Sequence, residues 1–86
     1  MVVKISKINL TDNWQVVATG TIQIQNKSSG SVLIGQGVSA PVNDGDAMVL
    51  SPGELPAPFS PAAGESVFAK MGTRDTGSIV VLGFQV

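Results

Sequence analysis

The stretch Thr21-Ile22-Gln23-Ile24-Gln25 decides the fold class. Its side chains alternate apolar and polar at period two, which in an extended chain sends Ile22 and Ile24 to one face and Thr21, Gln23 and Gln25 to the other. One face is buried and the other meets water. The cluster Asn26-Lys27-Ser28-Ser29-Gly30 follows, built from residues that favour turns, and Ser31-Val32-Leu33-Ile34 then resumes the apolar pattern. Residues 21–34 are therefore expected to form a β-hairpin with a five-residue loop.

Working outward, the same period recurs. Residues 2–10 set Val3, Ile5 and Ile8 against Lys4, Ser6 and Lys7, which reads as an edge strand whose lysines discourage pairing with stray chains. Residues 14–18 form a further strand, entered from the polar turn Thr11-Asp12-Asn13 and closed by Gly20. Beyond Ile34 the pattern breaks at Gly35-Gln36-Gly37. Asn43-Asp44-Gly45-Asp46 then offers a turn before the short apolar strand Ala47-Met48-Val49-Leu50. Prolines at 52, 56, 58 and 61 remove backbone donors and favour an extended path, so this segment is no central strand. Residues 66–71 place Val67, Ala69 and Met71 on one face and Phe68 and Lys70 on the other. The closing Ser78-Ile79-Val80-Val81-Leu82-Gly83-Phe84-Gln85-Val86 is apolar on both faces, as a strand central in a sheet or covered by another subunit would be. No 11-residue window carries a clean 3.6 period. The chain is expected to be all-β: one domain over residues 1–86, a small β-sandwich or jelly-roll-like barrel of about six to eight short antiparallel strands.

Composition narrows the chemistry. The chain has 86 residues, 43% hydrophobic and 13% charged. The average protein carries about 25% charged residues. A chain this short buries roughly 60 to 65% of its unfolded surface, which leaves apolar surface for a partner to cover. It has no cysteine and no histidine, which excludes disulfides, thiolate nucleophiles, Cys/His zinc sites and histidine acid–base catalysis. A net charge of -1 gives no basic field for nucleic acid. The longest apolar stretch, residues 79–84, is far short of the roughly 20 residues of a membrane span. Lys4 and Lys7 interrupt what a secretory signal would need as an apolar core, so synthesis in the cytoplasm is expected.

Several motif outlines lack the context their chemistry requires. Gly35-Gln36-Gly37-Val38-Ser39-Ala40 fits a dinucleotide-binding turn, but Pro41, Asn43 and Gly45 stand where the phosphate-binding helix must begin. Ser51-Pro52-Gly53-Glu54 has the spacing of a helix capping box, and the prolines at 56 and 58 forbid the helix, leaving a turn. Asn9-Leu10-Thr11 and Asn26-Lys27-Ser28 match glycosylation acceptors, which matter only in a secreted chain. Asp44 and Asp46, with Asp12 or Asp75, could offer oxygens to calcium, although turn chemistry accounts for them as well. Ser66 follows Gly64-Glu65 as in a nucleophile elbow but lacks the closing glycine and any histidine, and reads as the first residue of a strand. Glu54 and Glu65 are the sole glutamates; a glycosidase-like pair with an aspartate would need a cleft that one small subunit hardly builds. No cofactor is expected, and no catalytic residue is assigned. Of the four aromatics, Trp14 reads as core or interface, while Phe59, beside Leu55 in the proline-rich segment, reads as a partner contact.

The succession of Ile22-Gln23-Ile24-Gln25-Asn26-Lys27-Ser28-Ser29-Gly30-Ser31-Val32-Leu33-Ile34, Leu50-Ser51-Pro52-Gly53-Glu54, Gly64-Glu65-Ser66-Val67-Phe68-Ala69-Lys70 and Ile79-Val80-Val81 resembles the small all-β virion proteins of tailed bacteriophages. The resemblance covers residues 14–84 and departs from that pattern in the proline-rich segment before Gly64. It implies a non-enzymatic virion subunit that decorates or cements the capsid, or belongs to a head fibre or tail, often as a trimer. Phage capsid or tail proteins would be its partners, with neither nucleic acid nor membrane involved. Contact would come from apolar surface buried at symmetric interfaces, with Leu55, Phe59, Ile79, Val81, Phe84 and Val86 as the expected contact residues. The alternative is a receptor- or glycan-binding module of a phage tail or fibre, and a third reading is a small enzyme with its cleft at a subunit junction.

Overall fold

In the computed structural model, which describes residues 2–43, 45, 47–54, 56–72 and 76–85, eight strands follow one another. They are β1 (Val2–Thr11), β2 (Gln15–Ala18), β3 (Ile22–Asn26), β4 (Val32–Gly37), β5 (Met48–Leu50), β6 (Ala57–Phe59), β7 (Ser66–Met71) and β8 (Thr76–Gln85). Their pairing is nested: β4 with β5, β3 with β6, β2 with β7 and β1 with β8, all antiparallel. Two further ladders, β3 with β8 and β4 with β7, divide this long folded hairpin into two four-stranded sheets. Sheet A runs β1-β8-β3-β6 and sheet B runs β2-β7-β4-β5. This is the strand order of a jelly roll, and the all-β sandwich expected from the period-two pattern is the fold observed.

The alternation dictates what lies between the sheets. Ile22 and Ile24 of β3, Ile79 and Val81 of β8 and Leu10 of β1 face Val32 and Ile34 of β4, Leu50 of β5 and Val67, Ala69 and Met71 of β7. Ile24, Val32, Val67, Ala69 and Ile79 are wholly buried. β8, apolar on both faces, is an inner strand of its sheet, flanked by β1 and β3. The lysine-bearing β1 is an edge, and the proline-rich segment contributes the three-residue edge strand β6, where Pro58 stands opposite Gln23.

The expected hairpin over residues 21–34 is not what forms. β3 belongs to sheet A and β4 to sheet B, so residues 27–31 carry the chain from one layer to the other. The cause is Asn26, the last residue of β3 and a buried polar side chain. Its Oδ1 accepts the Ser28 N–H at 2.8 Å, while its Nδ2 donates to the Gly30 oxygen at 2.9 Å and the Leu50 oxygen at 2.8 Å. Both amide protons and the carbonyl oxygen are thus used within the protein, which offsets the cost of burying them. A tight asparagine turn replaces the hairpin turn and bends the chain across the edge of the core. Backbone bonds from Lys27 N–H to the Ser78 oxygen and from Gly72 N–H to the Ser31 oxygen fasten the two sides of this corner. Gly77 admits it: a Cβ there would stand 2.6 Å from Ser28 Cβ and 2.7 Å from Met71 Sδ.

Two turns of one design bracket β6. In 51–54 and in 62–65, the fourth residue is a glutamate whose N–H donates to the first residue's oxygen. Its Oε1 in return accepts that first residue's N–H at 2.9 Å in both turns. The third residues, Gly53 and Gly64, have φ of 80° and 83°, which L side chains rarely adopt. The capping-box spacing at Ser51 therefore yields one of that motif's two bonds, from the first N–H to the glutamate carboxylate, while a backbone turn bond stands in for the other, as it does at Ala62 without a hydroxyl.

Candidate functional site

With the inward positions taken by the core, the outward positions of each sheet are what the protein presents at its surface. On sheet B these are Val16 of β2, Phe68 and Lys70 of β7, Leu33 of β4 and Val49 of β5, aligned by the pairings Val16 with Phe68, Leu33 with Lys70 and Leu33 with Val49. Phe68 and Leu33 are nonetheless buried, each 9% exposed. The loop after β4 lies on this face, with Pro41 set over Gly35, where a Cβ would overlap the proline ring, 2.8 Å from its Cδ. The loop then lifts two valines beside Pro41 into solvent, Val38 at 82% and Val42 at 94% exposed. Val16, Met48 and Val49 are each about half exposed. Among the described residues, five of the six exposed large hydrophobics therefore lie on sheet B or on the loop laid over it; Ile5 of β1 is the sixth.

The outer face of sheet A is also apolar along its middle. Ile5 stands beside Leu82, and with Val80, Pro56, Gln23 and Gln25 they line a shallow groove of about 180 Å³. A second hollow of about 340 Å³ opens between the sheets near the β2–β3 turn, with Ile8, Val17, Ile22 and Val81 as its floor and Ser6, Thr19 and Thr21 among its hydroxyl-bearing walls. Among the described residues no ionisable side chain lines it, so they set no acid–base pair there.

The expected contact residues are placed differently from the sequence reading. Ile79 and Val81 point inward and belong to the core, and Phe59 packs against that core from β6. Alternation on a strand apolar on both sides does not say which side faces in; here it is the odd-numbered side, and Val80 and Leu82 face out. Leu55 and Val86, and the side chain of Phe84, lie outside the described residues. So do Asp44, Asp46 and Asp75, on which the calcium reading rests; among the described residues no three acidic side chains gather. Glu54 and Glu65 are each held in their own turn. Ser66 opens β7 opposite Gly37, and no α-helix follows Gly35-Gln36-Gly37 among the described residues.

Trp14, half-buried just before β2, carries the Lys70 ammonium 5.8 Å from its ring centroid. That face of the indole is occupied by a cation, and among the described residues no aromatic side chain lines the two hollows above. These places offer no stacking platform for a sugar. Sequence reasoning missed Val38 and Val42, which lie on either side of Pro41 in a loop without alternation and so belong to no run that would place them inward.

Compared with known protein families, with curated proteins and with solved structures, the chain has no match.

Proposed function

We propose that the chain is a non-enzymatic structural subunit of a tailed-bacteriophage virion, a capsid-decorating or cementing protein that self-associates and binds the particle through apolar contacts. The observation that carries this reading is the aliphatic outer surface of sheet B, where Val38 and Val42 project from a loop held against the sheet by Pro41. Exposed aliphatic side chains concentrated on one sheet and the loop laid over it favour a protein contact there. The jelly-roll order adds support by analogy, since viral capsid domains use it, although a fold by itself does not set function. The subunit is made in the host cytoplasm and joins the virion there, leaving the cell on lysis.

The test is immunoelectron microscopy with antibody raised against the purified chain, applied to particles from a lysed source culture. Labelling spread over the heads supports decoration. Labelling confined to tail tips transfers the argument to receptor binding, and unlabelled particles overturn the virion assignment.

A further inference from the structure

The four sheet edges are guarded unequally. β5 and β6 are three residues long, and β6 has Pro58 at its centre. β2 has four residues and a register shift between Val16 and Ala18. Shortness, proline, bulges and charged side chains are the devices by which edges avoid new partners. β1 has none of the first three, and its guard is Lys4 and Lys7 alone. It runs for ten residues in unbroken register with β8, from Val2 opposite Gln85 to Thr11 opposite Thr76, and is bonded to a strand on one side only. At its far end Gln15 Nε2 donates to the Asn9 oxygen, 3.2 Å away, so the chain itself occupies that part of the edge. Residues 2–8 are left as the accessible run.

We infer that two copies of this chain pair through their β1 edges, antiparallel about a two-fold axis at Ile5, to join their A sheets into one eight-stranded sheet. The inference rests on the self-association proposed above and names its geometry. An axis perpendicular to the sheet keeps the outer faces on one side, so an outward residue must pair with an outward residue and the axis must pass through a residue position. Centring on Lys4 or on Lys7 sets that lysine against its own copy, which like-charge repulsion disfavours. Centring on Ser6 places Ile5 across from Lys7. Centring on Ile5 sets the two isoleucines side by side, puts Val3 opposite Lys7 and leaves no lysine facing a lysine. Ile5 is 70% exposed in the single chain. Pairing covers it with its counterpart, and the apolar strip of Ile5, Leu82 and Val80 continues from one copy into the next. A two-fold pairing makes a dimer and replaces the trimer suggested by resemblance.

Light scattering over a dilution series on the wild-type chain, Ile5→Lys, Ile5→Glu and their equimolar mixture tests this geometry. Ile5 is outside the core, so both variants fold, which circular dichroism checks; Ala63→Lys, in the exposed turn 62–65, is the control. The expected result is a wild-type and Ala63→Lys dimer, each Ile5 variant monomeric at the same concentration, and a dimer restored on mixing, since only residues related by the axis exchange repulsion for attraction. A dimer that survives both Ile5 variants, or a wild-type trimer, overturns the β1 pairing while self-association stands. A wild-type monomer at every concentration overturns both.

Discussion

Asn26 Nδ2 donates to the backbone oxygen of Leu50 across 2.8 Å, and this bond ties the last residue of β3 in one sheet to the last residue of β5 in the other. The residues are 24 apart in sequence, and the amide joins two layers that have no ladder in common.

Replacing Asn26 with alanine leaves the Leu50 and Gly30 oxygens without this donor in a buried place. The expected loss is about 2–4 kcal/mol of unfolding free energy in urea titration. Asn26→Asp costs more than alanine, because it turns a carboxylate oxygen toward two carbonyl oxygens. Should the Asn26→Asp variant prove as stable as the wild type, the corner does not depend on the donor.

Gly77→Ala tests the same corner sterically. Its methyl would press on Ser28 and Met71, at a cost of about 1–3 kcal/mol, read as a lowered urea midpoint. Gly20, where a Cβ meets nothing within 4 Å, is the control, and its alanine variant is neutral or slightly stabilising.

Gly35→Ala strikes the Pro41 ring and lifts the loop from sheet B. Limited proteolysis of the loop should accelerate, and dye binding at Phe68, which stands opposite Gly35, should rise. Gly37→Ala, whose methyl would sit at ordinary contact distance from the Ser39 oxygen, should show neither effect. Equal proteolysis of the two variants would mean that Pro41 does not hold the loop.

The paired turns predict matched penalties. Gly53→Ala and Gly64→Ala each force a side chain into positive φ and lose about 1 kcal/mol by thermal or urea denaturation. A difference of more than that between them would show that the turns are not equivalent.

Val38→Ser combined with Val42→Ser should leave stability within about 0.5 kcal/mol of wild type, since both side chains already meet water. On the proposed virion role, particle labelling should disappear in phage carrying this double variant. Undiminished labelling would move the contact off sheet B.

The strands are legible in the sequence because alternation is local: the pattern of residues 66–71 sorts Val67, Ala69 and Met71 from Phe68 and Lys70, and the prolines keep their segment out of a central position. What is not legible is the route of the chain. A five-residue loop of Asn, Lys, Ser and Gly suits a hairpin as well as a crossover between sheets, and the difference lies in the reach of Asn26 to Leu50, a partner no local pattern names. Ile79 and Val81 read as interface residues for the related reason that a strand apolar on both faces does not declare its inner side. The exposed valines of the loop escape notice because they belong to no period.

β8 lies between β1 and β3 although it follows all seven other strands in chain order. During translation sheet A is therefore missing an inner strand until residues 76–85 have left the ribosome, and the first strand, finished earliest, waits longest for its neighbour. The sandwich closes only after nearly all of it has been synthesised, with residues 2–11 the segment that nascent-chain chaperones have most reason to hold.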